Sequence, residues 1–363
     1  MTTDNDAVAL AAHGWDGMFA EAFAPFEAEG LVPARVLAEH RDRYVLGGAV
    51  GRDTSAVLAG RLRHEARTRT ELPAVGDWVA ASRTATPDDI ASIHAVLPRR
   101  SAFVRKVAGD ETAGQVVAAN VDVAFVVAAL TDVNPRRLER YLALAWESGA
   151  LPVIVLTKAD LSDDVAAQIP DAQALAPGVN VVALSSVTGA GVESLDRLLQ
   201  PGRTAVLLGP SGAGKSTLVN RLAGEELLRT ADVREDGKGR HTTTHRELVR
   251  LRSGALLIDT PGMRELQLWD VDTGLGATFA DVYALAADCR FRDCRHETEP
   301  GCAVLAAIDD GRLPSERVEH WRKLERELAH LARRQDELAM AADRSRAKSL
   351  ERLFRQHMRR KYQ

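Results

Sequence analysis

The sequence predicts a multidomain chain built from a small β-barrel, a doubly wound α/β domain and a compact α-helical C-terminal module. Three observations carry this. Residues 31–107 read as short strands separated by turn residues, whereas from Val121 onward buried strands alternate with helical stripes. All three cysteines and one histidine then fall within positions 289–302.

Residues 1–30 carry six acids and neither Lys nor Arg, with Trp15, Phe19, Phe23 and Phe26 spaced for one short amphipathic helix. Whether that helix docks on a domain or forms a tail stays open. In residues 31–107 the candidate strands are 34–38, 44–49, 56–62, 77–81 and 90–97, punctuated by Gly47-Gly48, Gly60, Pro73 and Gly76. Five strands in so short a span, with a net positive charge, fit a barrel of the OB type, which commonly binds nucleic acid through one face and its loops.

Residues 108–285 form the α/β domain. The apolar run 121–130 suits a strand covered on both faces of a parallel sheet. Asn134-Pro135 opens a helix whose Leu138, Tyr141, Leu142, Ala145 and Trp146 make an apolar stripe. Strands over 151–156, 181–184 and 205–208 follow, with a helix over 192–199 among the connections. Residues 286–363 hold the cysteine cluster and a helical end where Trp321, Leu324, Leu328 and Leu331 recur at helical spacing.

After the strand over 205–208 comes Gly209, Pro210, Ser211, Gly212, Ala213, Gly214, Lys215, Ser216 and Thr217, a match to GxxxxGK[ST] that opens a helix. Glycines let backbone N–H groups turn inward on phosphates, Lys215 reaches the terminal phosphates, and Ser216 is placed to ligate Mg2+. Asp259-Thr260-Pro261-Gly262 ends another apolar run. There Asp259 would hold Mg2+ through water and the Gly262 N–H would sense a γ-phosphate.

Thr157, Lys158 and Asp160 end the strand over 151–156. A carboxylate at that place accepts from the N1–H and amino group of guanine and meets no matching donor on adenine, so the nucleotide is GTP. Lys158 would lie along the base, and Ser185-Ser186 would offer a backbone N–H to guanine O6. Thr157 stands where many GTPases have Asn, which predicts one weaker bond behind the base.

These base-reading elements precede the phosphate loop, the segment Arg240–Thr244 and residues 259–262, the reverse of the Ras-like order. A circularly permuted domain, cut after its third strand and rejoined near residues 200–204, has this order without altering the site. Met263 occupies the place of the water-positioning Gln, so another group must orient the nucleophile. His241 is the candidate, with Thr242 or Thr243 completing the Mg2+ shell.

Cys289, Cys294, His296 and Cys302 offer three thiolates and one imidazole, a tetrahedral Zn2+ set with no position left for water. One structural zinc is expected. Apolar content of 45% and charged content of 27% exclude wholesale disorder. Without an 18-residue apolar run or a basic leader, no membrane segment and a cytoplasmic address are expected. The net charge of −4 conceals +5 in residues 31–107 and +6 in 314–363 around an acidic middle. The end over 344–361 has eight basic residues against Glu351, and beside such a barrel this points to RNA phosphates.

A barrel, a permuted GTPase domain and a CxxxxCxHxxxxxC module, in that order, resemble one bacterial family, the ribosome small-subunit-dependent GTPase A. The resemblance covers about residues 31–363. It implies a late-stage assembly factor that binds the small ribosomal subunit and its rRNA, hydrolyses GTP to GDP and phosphate when the subunit stimulates it, and uses His241 in that step. A monomer is expected. Two other readings stay open on the residues alone: a GTP-regulated RNA-binding module with incidental hydrolysis, and a stand-alone NTPase.

Overall fold

The computed structural model describes residues 4–40, 43–50, 53–84, 86, 89–107, 110–224, 246–259, 272–329 and 333. The N-terminal segment forms two helices, α1 (Asp4–Ala12) and α2 (Gly17–Glu27), where the sequence predicts one. Gly14 turns the chain between them with φ +83°, and the Asp16 carboxylate caps α2 by accepting the N–H groups of Met18 and Phe19. Leu10, Phe19 and Phe23 are buried in one core with the barrel, and Trp15 stands edge-on to Trp78 at 4.7 Å. The acidic segment therefore docks on the barrel and helps to build it.

The barrel consists of β1 (Val32–His40), β2 (Arg43–Gly48), β3 (Thr54–Leu58), β4 (Trp78–Ala81) and β5 (Ala91–Val96). It closes in the order β1-β2-β3-β5-β4-β1, with β3 and β5 parallel. Residues 60–62, expected in the third strand, instead start α3 (Gly60–Glu65), because β3 meets β5 only over Ala56–Leu58 and the chain then leaves the wall. β6 (Ala102–Val107), assigned to the barrel on sequence, pairs with β7 (Asp110–Ala119) in a separate two-stranded ribbon. At the barrel base the Asp77 carboxylate is buried and takes two bonds from Arg99, at 2.8 and 2.7 Å.

The α/β domain contributes β8 (Val123–Ala129), α4 (Pro135–Ser148), β9 (Leu151–Thr157), α5 (Val165–Leu175), β10 (Asn180–Ala183), β11 (Thr204–Leu208), α6 (Lys215–Ala223), β12 (Arg246–Arg250) and β13 (Leu256–Asp259). Its strand order is β10-β9-β8-β11-β13-β12, all parallel but β12. The apolar run of β8 now has a cause. Val123, Phe125 and Val127 face the core under α6, while Ala124, Val126 and Ala128 face the core under α4. The helix predicted over 192–199 is only a short 3-10 turn, Val192–Leu195, which Gly191 enters in a left-handed conformation.

The bulge between Val36 and Ala38 redirects β1, whose end pairs with β12 through Ala38–Glu247 and Glu39–Arg246. Barrel and α/β sheet thereby share one hydrogen-bonded surface. The C-terminal module, with α7 (Asp272–Thr278), α8 (Ala280–Ala287), α9 (Ala303–Asp309) and a helix over 315–329, packs on the α4 face through Phe279, Val304, Val318 and Trp321.

A buried polar network closes that contact. Arg317 donates to Glu139 of α4 at 3.2 Å, to both Asp281 oxygens at 2.6 and 2.8 Å, and to the Leu175 and Thr278 carbonyls. His320 Nδ1 lies 2.8 Å from the other Glu139 oxygen. Burial, aided by Asp281 and opposed by Arg317, raises the Glu139 carboxyl to about 7. Burial and then Arg136 hold His320 below its ordinary value.

These two shifts have opposite linkage. Native Glu139 keeps its proton up to about 7 whereas the unfolded chain releases it near 4.5, so its contribution is full below 4.5 and is lost as pH rises through 7. His320 binds its proton near 6.5 only when unfolded, so its contribution is complete above that value and is lost as pH falls below it. Glu139→Gln should therefore leave a urea midpoint that rises with pH up to about 6.5 and then levels off, and His320→Asn one that falls between about pH 4.5 and about pH 7. Parallel pH profiles of the two variants would contradict the assignment.

Candidate functional site

The site lies at the carboxyl ends of the parallel strands, where β11 sits between β8 and β13 and the connections diverge. Directly after β11 the chain turns at Gly209, whose φ is +143° and whose added Cβ would stand 2.2 Å from the Val127 carbonyl oxygen. Only glycine lets the loop run this close to β8. Gly214, with φ +85°, delivers the chain into α6, so Ser216 and Thr217 occupy its first turn and are half-buried. Lys215 Nζ folds over the loop, 2.6 Å from the Gly209 oxygen and 2.5 Å from that of Pro210. A glycine-rich turn, one ammonium and a helix N-terminus are thereby gathered in one loop, the set of groups that cradles phosphate. Ser211 and Gly212 are exposed at its tip, and Ala213 is buried beneath it.

Thr157 ends β9 fully buried, with Oγ1 2.6 Å from the Ala213 carbonyl oxygen and 3.2 Å from that of Ala128. Its single proton goes to the nearer oxygen. Thr157 therefore makes a short bond to the phosphate loop itself, a role the bare tetrapeptide does not reveal. Lys158 is left-handed at φ +59° and starts the turn Ala159–Leu161, which exposes Asp160. The Ala159 N–H donates to the Leu184 oxygen at 3.2 Å and so ties this turn to the end of β10.

At that end the Ser185 N–H donates to the Ala190 oxygen at 2.9 Å, and Ser185 Oγ accepts from the Thr188 N–H at 3.1 Å. Ser185 is spent on shaping the loop. Ser186 follows it, buried, and among the described residues its Oγ has no partner. Asp259 ends β13 beside β11, with Val206 opposite Ile258. His241, Thr242, Thr243 and Gly262, like Met263 and the basic run 344–361, lie outside the described residues.

The second cluster is compact. Cys289 Sγ is 3.5 Å from His296 Nδ1 and 3.8 Å from Cys302 Sγ, and His296 Nδ1 is 3.3 Å from Cys302 Sγ. With Cys294, all four ligand atoms lie within 4.8 Å of one another. A tetrahedral zinc with Zn–S of about 2.3 Å and Zn–N of about 2.0–2.1 Å sets S···S at about 3.8 Å and S···N at about 3.6 Å, so the set fits. Burial and then Arg322 hold His296 below its ordinary value, which favours the neutral imidazole that a metal requires.

Supporting groups hold this geometry. The Leu305 N–H at the start of α9 donates to Cys302 Sγ at 3.4 Å, the Arg322 guanidinium donates to the His296 carbonyl, and Trp321 lies against the His296 ring. Glu299 accepts the N–H groups of Arg295, Glu297 and Thr298, and that of Arg295 above all holds its carboxyl at about 2. Bound zinc would supply cross-linking only, since four protein ligands leave no open position. Purified protein should contain one zinc per chain, and Cys302→Ser should lose it. Chelation should also lower the unfolding temperature of the wild type and leave that of Cys302→Ser unchanged.

Comparison with known proteins fits this geometry. A family model described as RsgA GTPase matches residues 96–269, and one described as 50S ribosome-binding GTPase matches residues 204–342. The small ribosomal subunit biogenesis GTPase RsgA of Opitutus terrae is 50% identical over 353 residues, spanning 94% of this chain and 95% of its own. That of Streptomyces coelicolor is 46% identical over 341 residues, spanning 92% and 90%. The crystal structure of YjeQ from Thermotoga maritima superposes with a TM-score of 0.61 at 25% identity, over 82% of this chain and 99% of that one. With its barrel, permuted P-loop domain and three-cysteine, one-histidine cluster, the chain belongs to the RsgA family of circularly permuted GTPases.

Proposed function

We propose that this protein binds the immature small ribosomal subunit late in assembly and hydrolyses GTP to GDP and phosphate when the subunit stimulates it. The observation that carries the nucleotide half of this reading is the Thr157–Ala213 bond, which joins the turn bearing Asp160 to the loop bearing Lys215. One ligand long enough to touch both is a nucleoside triphosphate.

In this reading Asp160 takes the N1–H and amino group of guanine, Lys158 covers the base, and the Ser186 N–H meets O6, because the Ser185 N–H is already engaged. Residues 209–217 cradle the phosphates. Ser216, Asp259 and Thr242 or Thr243 would hold Mg2+, which supplies charge neutralisation at the β- and γ-phosphates. Gly262 reads the γ-phosphate and His241 orients the attacking water. The barrel and the basic C-terminal end contact rRNA phosphates, and the protein works as a monomer on the subunit.

GTP turnover with and without purified small subunits, at two salt concentrations, tests the whole proposal. Turnover should rise with subunits and the rise should shrink at high salt, because phosphate contacts release counterions. His241→Ala should keep GTP affinity and lose the stimulated turnover; unchanged stimulation would remove His241 from the mechanism. Thr157→Val leaves the Ala213 carbonyl without its donor. GDP affinity measured by calorimetry should fall about tenfold, with Thr157→Ser restoring it.

A further inference from the structure

We infer that Glu39, at the end of β1, is a positioning residue for subunit-stimulated hydrolysis: it fixes the barrel to the strands that end at Asp259. The inference rests on the function proposed above and adds the route by which a subunit held by the barrel acts on the nucleotide site. Glu39 belongs to the barrel and lies in none of the nucleotide-binding segments.

The ground for it is one row across the sheet. Glu247 of β12 stands opposite Ala38 of β1 on one side and opposite Asp259 of β13 on the other. Paired strands lie about 4.7–4.9 Å apart, so one residue and about 10 Å separate the barrel backbone from that of Asp259. The row is hydrogen-bonded at both steps, and a slip of register would turn every side chain of β12 to the wrong face. A displacement of the β1 end is therefore handed on to β13, where a loop would absorb it.

The link between β1 and β12 consists of two residue pairs, Ala38–Glu247 and Glu39–Arg246, so its firmness depends on side chains. Glu39 provides them. Its Oε2 accepts from Arg246 of β12 at 2.9 Å and its Oε1 from the Gln115 amide of β7 at 3.4 Å. Gln115 in turn accepts from Arg105 of β6 at 3.3 Å, so the two-stranded ribbon converges on the same carboxylate. The Glu39 and Arg246 side chains are 22% and 14% exposed. Water therefore screens this pair little, and reversing either charge leaves two like charges facing each other with poor solvation. Both Glu39 oxygens are engaged in this junction, so the residue acts by placing β12 and not by touching nucleotide.

GTP turnover of the full-length protein is measured against small-subunit concentration for the wild type, Glu39→Gln, Glu39→Arg, Arg246→Glu and the double exchange Glu39→Arg/Arg246→Glu. Each charge reversal should lower the maximal stimulated rate about tenfold, and the double exchange should restore most of it. Glu39→Gln, which keeps the shape and folds even where a reversal does not, should lose about threefold. The half-saturating subunit concentration and GDP affinity should stay as in the wild type. Hydrogen exchange on the free protein should be faster over residues 246–250 in both reversals and return to the wild-type rate in the double exchange. A Glu39→Gln maximal rate equal to that of a stimulated wild type would overturn the inference alone. So would a double exchange as slow as the single reversals, unchanged hydrogen exchange, or a loss confined to the half-saturating concentration. A wild type indifferent to subunits would instead overturn the proposed function, and the inference with it.

Discussion

Arg35 carries a guanidinium into the junction of three modules, and each of its bonds ends on a different segment: the turn before β4, the α1–α2 turn, the end of β7 and the start of β11. Burial lowers its pKa to about 10, so the charge persists at neutral pH. A charge in such a place demands every acceptor it has, because each one lost leaves a desolvated donor behind. The requirement works in the other direction too. The four segments are thereby held to one side chain, beside the direct bonds of Asn120 to Gly76 and of Asp122 to Thr204.

That constraint sets the path of β1. Its first half closes the barrel against β4 and its end continues the α/β sheet against β12, where Glu39 and Arg246 also pair at 2.9 Å. The segment 240–244 that holds the proposed catalytic histidine runs into β12 within two residues. The strand that follows that segment in the chain is therefore clamped between the nucleotide domain and the barrel. On the opposite face, the Glu139–Arg317–Asp281 cluster does the same for the zinc module. Removing one member of such a buried set leaves an unpaired charge, which costs more than the intact set contributes. The network's role is consequently positional: it fixes where the C-terminal helix meets α4.

Most strands were legible because burial on one or both faces leaves a period in the residues, as in β8 and β9. The phosphate loop was legible for a related reason: glycine at 209 and 214 answers a backbone requirement that is local. Elements whose form depends on distant partners were misread. Residues 60–62 look like strand until β5 is seen to pair only as far as Leu58, and 192–199 look helical although a single 3-10 turn is all that forms. The Thr157 hydroxyl's bond to the Ala213 carbonyl, at 2.6 Å, likewise has no trace in the tetrapeptide, because its partner lies 56 positions away.

By itself the sequence determined what chemistry to expect: a loop for phosphate, an acid proposed to read guanine, and four side chains of a kind that closes on zinc. Those depend on side-chain type and short spacing, which a linear chain displays. The tertiary structure alone decided how the modules are joined. Arg35, Glu139, Arg317 and Trp78 have partners 40 to 180 positions away, as with Arg35–Gly76 and Arg317–Glu139. Nothing in a strand or helix period records such a partner. The acidic first 30 residues carry the same lesson, since their aromatic side chains are core only because the barrel leaves a face for them to cover.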